Sequence, residues 1–207
     1  MSHRADLCPS ADNEPLSNRM KRRANIPELY WKSRLDLIPP TMSHYKPIHD
    51  YVATMHETEK TGQGLILTGR HGSGKSSIAC CLLMEAMLRG PVRCYYVSAA
   101  DVPSLVIDKP VTASGESVWE LVTGRAQFLV IDDLGDERTT DWKSSAFTRV
   151  FNSRRGAMRS TFITTNCKLE AEDREGVFDL FPRLKQLGPD AHRVLPTDDR
   201  LQWRTGF

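Results

Sequence analysis

The chain has 207 residues, of which 40% are hydrophobic and 26% are charged, with 13 glycines and 12 prolines. This mixture is typical of one soluble globular domain with a tail, and it excludes collagen-like, low-complexity and wholly disordered proteins. The 28 basic residues nearly balance the 26 acidic ones, which leaves a formal net charge of +2. The chain is therefore not a highly basic protein that coats nucleic acid through bulk charge, and any nucleic-acid contact must be local.

The sequence offers no sign of a membrane or of a disulfide-forming compartment. No stretch reaches the roughly 18 to 20 apolar residues that a membrane span requires, and residues 1–15 lack the apolar segment of a signal peptide. We therefore expect a cytoplasmic protein without a membrane partner. The five cysteines show neither a Cys-x-x-Cys pair nor zinc-ligand spacing to histidine, so reduced and mostly buried thiols are expected.

Two segments precede the main alternating pattern. Residues 1–25 are polar, lack an apolar period and carry a basic cluster at 19–23, which predicts a flexible basic N-terminal arm. This arm is either a solvated tail or a docking segment for nucleic acid or a partner. Residues 26–60 are interrupted by prolines, which allow only short helices, predicted at 28–37 and 48–57. We interpret residues 26–60 as a collar that packs on the main domain.

Residues 61–207 form the predicted core, in which short apolar runs alternate with helical stretches. Leu65–Thr68 is bounded by glycines, which suits a strand buried on both faces. The alternation predicts an α/β fold with a parallel sheet and right-handed crossovers. The other predicted strands are 93–97, 127–132, 160–165 and 192–195, and the predicted helices are 78–87, 117–124 and 142–155.

Residues 69–76, GRHGSGKS, match the pattern G-x-x-x-x-G-K-[ST] at every fixed position, between a predicted strand and a predicted helix. Such glycines let successive backbone N–H groups point at phosphate oxygens, while the helix N-terminus adds its positive dipole end. Lys75 would neutralise the β- and γ-phosphates, and Ser76 would offer its hydroxyl to Mg²⁺. We therefore predict ATP and Mg²⁺ as cofactors. The predicted nucleotide-binding residues are Gly69, Arg70, His71, Gly72, Ser73, Gly74, Lys75, Ser76 and Ser77.

Residues 128–133, FLVIDD, form an apolar run that ends in two carboxylates. Asp132, at the strand tip, is predicted to hold Mg²⁺ directly or through water. Asp133 is then placed to orient or deprotonate the water that attacks the γ-phosphate, which favours hydrolysis over nucleotide storage. The interval from Lys75 to Asp132 is long enough for a helix, a strand and a second helix, so a further strand is expected between the two motifs.

Asn166 ends the β-rich run STFITTN at 160–166. A strand-terminal asparagine by itself indicates a turn. Because this one follows the Asp132 strand in a chain that also carries the glycine-rich motif, we interpret it as a sensor that hydrogen-bonds the attacking water.

Together, GRHGSGKSS, FLVIDDLG, the helix ending in FNSRR and TFITTN resemble the AAA+ ATPases of the DnaC/IstB group, which are bacterial and phage helicase loaders and transposition helpers. The segment ANIPELY at 24–30 also resembles the one that precedes the core in that group. The resemblance covers about residues 26–204. It implies an AAA+ (ASCE) P-loop NTPase domain over residues 26–207, with a central parallel sheet flanked by helices. No C-terminal helical lid is expected, since the chain ends soon after its last predicted strand.

Members of this group place an arginine after the sensor strand, in a helix that reaches the ATP of the neighbouring subunit. Arg183 stands at the matching position, so the resemblance implies an arginine finger that couples hydrolysis to self-association. Pro182 departs from the helical pattern of the group, and a solvated helix face stays open for Arg183. The predicted catalytic residues are Lys75, Asp133, Asn166 and Arg183, and the predicted metal ligands are Ser76 and Asp132.

The leading interpretation is an ATP-hydrolysing assembly factor that oligomerises around single-stranded DNA and delivers a replicative helicase. The alternative within the same family is a transposition helper that binds duplex DNA and recruits a transposase. A P-loop small-molecule kinase is a remote third interpretation, disfavoured by the long segment before Gly69 and by Asn166. DNA contacts through phosphates are expected from residues 19–23, from the insertion at 108–116, or from Arg154 and Arg155, for which a plain surface role is the alternative.

Overall fold

A computed structural model of the chain describes residues 16–135, 141–166 and 192–196. Within these residues five strands form one sheet in which every neighbouring pair is parallel. The order across the sheet is β2-β3-β4-β1-β5. The strands are β1 (Gly64–Thr68), β2 (Cys94–Ser98), β3 (Phe128–Asp132), β4 (Ser160–Thr165) and β5 (His192–Pro196). The predicted parallel α/β architecture is thus confirmed, whereas the expected absence of a C-terminal lid concerns residues outside those described.

Helices flank the sheet on both faces. The α-helices are α1 (Asn18–Arg23), α2 (Tyr45–Ala53), α3 (Met55–Thr61), α4 (Lys75–Arg89), α5 (Ser104–Asp108), α6 (Val118–Glu120) and α7 (Asp141–Gly156). Short 3₁₀ turns occur at Glu28–Tyr30, Leu35–Leu37 and Ala99–Asp101, and a π-turn at Leu121–Arg125 continues α6. Among the described helices, none is both long and apolar enough to span a membrane.

The strand order brings motifs that are distant in the sequence together at the carboxyl ends of the strands. From β1 the chain crosses to the edge strand β2, then returns through β3 and β4 to lie beside β1 again. Thr68 pairs with Thr165 at the ends of β1 and β4, and Ile131 pairs with Ile163 near the ends of β3 and β4. Because parallel strands end on the same side, the segments that follow β1, β3 and β4 lie next to one another, which is where such sheets bind ligands.

Each face of the sheet has its own apolar core. Leu65 and Leu67 of β1 pack with α4 and with buried residues of the predicted collar, including Ile48 and Tyr51. Ile66, which points to the opposite face, packs with residues of α5, α6 and α7. This alternation within an all-apolar strand confirms that β1 is buried on both faces. The three cysteines in the described residues, Cys80, Cys81 and Cys94, are buried, as expected, and none of them forms a disulfide.

The basic cluster of the predicted N-terminal arm lies in a short helix, while residues 1–15 of that arm lie outside the described residues. Residues 18–23 form α1, whose first turn is capped by the Ser17 hydroxyl. Immediately after α1, the backbone of Tyr96 donates to the Ala24 carbonyl at 2.9 Å, and the Asn25 side-chain amide donates to the Tyr96 carbonyl at 2.9 Å. The edge strand β2 has backbone groups that no neighbouring strand satisfies, and residues 24–25 bind some of them. A six-residue helix is too short to show an apolar period, which is why periodicity did not predict it.

Two predicted helices of the collar are divided differently in the structure. The segment 28–37 forms two separate 3₁₀ turns rather than one helix, and the helix predicted at 48–57 is split at Thr54 between α2 and α3. Thr54 turns its hydroxyl back to the Asp50 carbonyl at 3.2 Å. Such a side-chain bond competes with the continuing helix and accompanies the break.

Arg154 is the clearest departure from expectation. Its side chain is 1% exposed, so it is neither a surface residue nor a DNA contact, while its neighbour Arg155 is exposed. The guanidinium donates to the Thr161 hydroxyl at 2.8 Å and to four carbonyls, of which Ser160 at 2.7 Å is the nearest. Burial, with a smaller contribution from Arg159, lowers the pKa of Arg154 to about 9. Arg154 thereby ties α7 to the amino ends of β3 and β4.

Candidate nucleotide and magnesium site

The glycine-rich loop joins the carboxyl end of β1 to the first turn of α4. Gly69, Gly72 and Gly74 have backbone φ angles of 145°, 78° and 87°, which residues with a side chain rarely adopt. A Cβ added at Gly72 would meet no atom within 4 Å, so the backbone conformation and not crowding requires glycine there. The loop therefore depends on backbone conformations that favour glycine, and it ends at the N-terminus of a 15-residue helix, as a phosphate cradle requires.

Lys75 lies at the mouth of this loop and is only 6% exposed. Its ammonium donates to the carbonyls of Gly69 at 2.8 Å and Arg70 at 2.7 Å, and to the Asn166 side-chain oxygen at 2.8 Å. The ammonium can exchange these neutral acceptors for phosphate oxygens, because two of them are loop carbonyls at which water can replace the ammonium. Ser77, in the first turn of α4, is buried, whereas Arg70 and His71 of the loop are exposed.

Asn166 joins the three predicted motifs through one side chain. Its oxygen accepts from Lys75, and its nitrogen donates to the Asp133 carboxylate at 2.8 Å. The same nitrogen lies 3.3 Å from Nδ1 of His71 in the loop. The structure thus brings Lys75, Asp133 and Asn166 together, although they lie far apart in the chain.

The two carboxylates that end β3 have different surroundings. Asp132 is 7% exposed, and both of its oxygens are engaged. Oδ1 accepts from the Thr164 hydroxyl at 2.5 Å and Oδ2 from the Tyr96 hydroxyl at 2.6 Å. Burial, together with the charge of Asp132 and the hydrogen bond to it, raises the pKa of Tyr96 far above its ordinary value. The phenol therefore stays protonated and acts as the donor of this hydrogen bond. Asp133, by contrast, is exposed and faces Asn166.

Thr164 bonds both Asp132 and Asp133, and it holds their two side chains in different surroundings. Its hydroxyl donates to Asp132 and accepts from the Asp133 backbone N–H at 2.8 Å, while its carbonyl accepts from the Leu134 N–H at 2.9 Å. Asp133 has a φ of 61°, an uncommon conformation for a residue with a side chain. The turn after β3 is therefore held by β4, and it directs one carboxylate inward and the next one outward.

Tyr30, in the 3₁₀ turn of the collar, reaches the predicted magnesium ligand Ser76. Burial raises the pKa of Tyr30, a hydrogen bond with the Ser76 side chain opposes that rise, and the charges of Asp132 and Asp133 add to it. Tyr30 therefore lies next to Ser76, one of the two predicted metal ligands.

The donors at this site fit Mg²⁺ bound together with a nucleotide. Ser76 and Asp132 offer a hydroxyl and a carboxylate, both hard oxygen ligands. In the described part of the chain, no group of three or more His, Cys, Asp or Glu side chains could hold a metal without help. Mg²⁺ commonly takes one or two carboxylates and completes its coordination with phosphates and water, so the residues present suit a metal that arrives with ATP.

Sequence reasoning missed three residues of the site and named one that lies outside the described residues. Tyr96, Thr164 and Tyr30 carry no motif, and their roles depend on strand register and on the packing of the collar. Only a correct strand order would have indicated Thr164, which lies one residue before the end of the strand beside β3. The predicted arginine finger, Arg183, falls in the segment 167–191 that the structure does not describe.

Known proteins are similar to this chain in sequence and in fold. The sequence model of the family described as IstB-like ATP binding protein matches residues 46–178. The replicative helicase loader DnaC of Escherichia coli strain K12 is 27% identical over 107 residues, which are 51% of this chain and 43% of DnaC. The match therefore spans less than half the length of that relative.

Solved structures agree at the level of the fold. A crystal structure of the DnaC helicase loader has a TM-score of 0.66 and 24% identity, covering 83% of this chain and 100% of the other. A crystal structure of DnaI has a TM-score of 0.64 and 15% identity, covering 84% and 95%. The replication initiator DnaA bound to AMPPCP and single-stranded DNA has a TM-score of 0.61 and 17% identity, covering 81% and 50%.

Proposed function

We propose that this chain, which belongs to the family of IstB-like ATP-binding proteins, hydrolyses ATP with Mg²⁺ and uses the reaction to load a replicative helicase onto single-stranded DNA. The carrying observation is the Asn166 side chain, which contacts Lys75 and Asp133 at once. These contacts with the predicted phosphate-binding lysine and the predicted base support Asn166 as the residue that senses the γ-phosphate and its attacking water.

In the proposed mechanism the loop N–H groups and Lys75 bind the phosphates, and Ser76 and Asp132 hold Mg²⁺. Bound Mg²⁺ would neutralise charge on the β- and γ-phosphates. Asp133, exposed at the strand end, accepts the proton of the attacking water, and Asn166 orients that water. The γ-phosphoryl group then passes to water, and ADP is the leaving group.

Phosphate release measured with purified protein, ATP and Mg²⁺ tests this assignment. Asp133→Asn should lower turnover by about 100-fold or more, because it removes the base, while ATP affinity is retained. Asp50→Asn is the matched control, since Asp50 is an exposed carboxylate of α2 that forms an ion pair with Lys46 at 2.7 Å. Equal turnover in the two variants would refute Asp133 as the base.

The helicase partner is proposed from the name of the DnaC relatives, which match about half of this chain. The test is light-scattering mass after mixing the protein with a replicative helicase in ATP and Mg²⁺, with and without single-stranded DNA. We expect a complex that dissociates when ATP is hydrolysed on the single strand. The family match to IstB-like proteins supports the second candidate, a transposition helper, and filaments on duplex DNA without a helicase complex would establish that one instead.

The structure also suggests a surface for the DNA backbone. A groove of about 830 Å³ lies between α1 and the insertion around residues 110–114, and Arg19, Arg22 and Arg23 form one of its walls. Two segments that were separate candidates in the sequence therefore face one another. Arg22 pairs with Glu28 at 3.2 Å and Arg23 lies 3.9 Å from Glu116, yet both side chains are about 70% exposed and free to reach phosphates.

Replacing Arg19, Arg22 and Arg23 together by alanine should weaken binding to single-stranded DNA and reduce its salt dependence. A plot of log affinity against log salt concentration has a negative slope, and each lost phosphate contact makes that slope less steep by about 0.7 on a single strand. Arg34→Ala is the control, because Arg34 is an exposed arginine outside the groove that pairs with Asp36. An unchanged salt slope in the triple variant would exclude this groove as the DNA surface.

Self-association is proposed together with the finger role of Arg183. Arg183→Ala subunits should release phosphate slowly alone, and mixing them with Asp133→Asn subunits should restore part of the activity. The recovery is expected because mixed interfaces of one orientation join the intact Asp133 of one subunit to the intact Arg183 of the other, whereas those of the opposite orientation carry both substitutions. Additive activity without recovery would contradict a finger that acts in trans.

A further inference from the structure

Tyr96 connects the magnesium site to the edge of the sheet. It lies in β2, and its 9% exposed side chain crosses from that strand to the end of β3. Its hydroxyl donates to Oδ2 of Asp132 at 2.6 Å, and Thr164 donates to the other oxygen. Two donors on two different oxygens fix both the position and the rotation of the carboxylate.

The backbone of the same residue anchors the segment that follows α1. The Tyr96 N–H donates to the Ala24 carbonyl, and the Tyr96 carbonyl accepts from the Asn25 side chain, each at 2.9 Å. Ala24 is buried, and Asn25 has a φ of 57° that directs its amide toward the strand. Residues 24–25 and the Asp132 carboxylate therefore bind opposite ends of one amino acid.

The segment closes on itself through Trp31. The Trp31 indole donates to the Ile26 carbonyl at 2.8 Å, and the Lys21 ammonium donates to the Trp31 carbonyl at 2.9 Å. Tyr30, inside this closed segment, contacts Ser76. Both predicted metal ligands are thus contacted by a tyrosine that the segment 21–31 either contains or anchors.

We propose that Tyr96 is a positioning residue of the magnesium site, holding Asp132 in the orientation that takes Mg²⁺, and that residues 24–25 hold Tyr96 in turn. This inference rests on the proposed function of the site. Partners that orient a ligating carboxylate commonly contribute 10- to 100-fold to metal affinity, and the hydroxyl of Tyr96 is such a partner.

The test compares Tyr96→Phe with Tyr95→Phe. Both changes remove one phenol oxygen from adjacent positions of β2, and only Tyr96 donates to a carboxylate. A fluorescent ATP analogue is titrated with Mg²⁺ and also bound without it, and Mn²⁺ binding to the nucleotide complex is followed by electron paramagnetic resonance. Tyr96→Phe should raise the half-saturating Mg²⁺ concentration by about 10-fold or more and leave metal-free nucleotide affinity unchanged.

Asn25→Gly supplies a second variant that leaves Tyr96 intact. Glycine tolerates the positive φ of position 25, so the change removes the hydrogen bond from the side-chain amide to the Tyr96 carbonyl without straining the backbone. It should shift the Mg²⁺ dependence in the same direction by a smaller factor, and it keeps the proposal testable if Tyr96→Phe does not fold.

The outcomes separate the inference from the proposed function. Equal Mg²⁺ dependence in Tyr96→Phe and Tyr95→Phe, with wild-type protein binding the analogue, overturns the inference alone. The inference is also overturned if Tyr96→Phe weakens nucleotide binding without Mg²⁺ as much as it weakens binding with Mg²⁺. In that case the tyrosine supports the loop and not the metal. Wild-type protein that binds no nucleotide at any Mg²⁺ concentration refutes the proposed function itself.

Discussion

Both ends of the sheet bury a cationic side chain, but different partners hold the two cations. At the carboxyl ends, Lys75 bonds two carbonyls of an open loop and the amide of Asn166. At the amino ends, Arg154 bonds carbonyls and a hydroxyl that belong to β4 and to residues 122–127, which precede β3. Burial alone therefore does not distinguish a binding residue from a structural one. The difference is whether an incoming ligand can replace the partners.

The largest expected effect of a substitution is the loss of stability in Arg154→Ala. The change leaves several buried carbonyls without a donor, and we expect a cost of about 3 kcal/mol or more. For a chain of this length the midpoint of thermal unfolding should fall by roughly 6 to 12 °C. The adjacent Arg155→Ala is the control, and its exposed side chain predicts a change within about 0.5 kcal/mol. Similar midpoints for the two variants would contradict the structural role of Arg154.

Lys75→Ala should give the opposite pattern. The carbonyls of Gly69 and Arg70 lie at a loop where water can replace the ammonium, so the unfolding midpoint should stay near that of the wild type. ATP affinity, measured with a fluorescent analogue, should fall by about 100-fold or more because the charge on the β- and γ-phosphates is no longer neutralised. A loss of stability comparable to that of Arg154→Ala would remove the distinction between the two cations.

Thr164→Val should produce a smaller effect of both kinds. Valine keeps the shape of the side chain but removes the hydroxyl that bonds Asp132 and the Asp133 N–H. We expect a destabilisation of about 1 to 2 kcal/mol in denaturant unfolding, together with slower phosphate release at unchanged ATP affinity. Thr161→Val is a comparison from the same strand, because the Thr161 hydroxyl bonds Arg154 at the other end. Thr161→Val should affect stability alone, and slower turnover in that variant would contradict the separation.

The smallest effect is expected from Asn25→Gly measured as stability. The variant loses one part-buried hydrogen bond to the Tyr96 carbonyl, which corresponds to about 1 kcal/mol, and glycine accommodates the positive φ. Asn25→Ala, which also loses the bond but must strain its backbone, should be less stable than Asn25→Gly. The reverse order in thermal unfolding would show that the positive φ is not maintained in solution.

The sequence predicted the parts of the site that local chemistry encodes. The loop 69–76, the strand ending at Asp132 and the strand before Asn166 each combine an apolar run with residues of distinct chemistry, and the structure places all three at one edge. The strand order beyond this edge, with β2 outermost, was not part of the prediction.

Residues whose roles depend on long-range register or packing were not predicted. Tyr96 and Thr164 act across strands, which no spacing along the chain reveals. Arg154 was expected at the surface because the burial of an arginine depends on acceptors supplied by distant carbonyls, and helical periodicity does not show them. Arg183 stays a prediction, since it lies outside the described residues.

The bonds of Ala24 and Asn25 to Tyr96 have a consequence for the behaviour of the protein in concentrated solution. An edge strand with open N–H and C=O groups is a template on which another chain can add a strand, and this is a common route to aggregation. Residues 24–25 engage both backbone groups of Tyr96 near the middle of β2. A chain shortened to begin at Ile26 would expose them, so it should self-associate through strand addition.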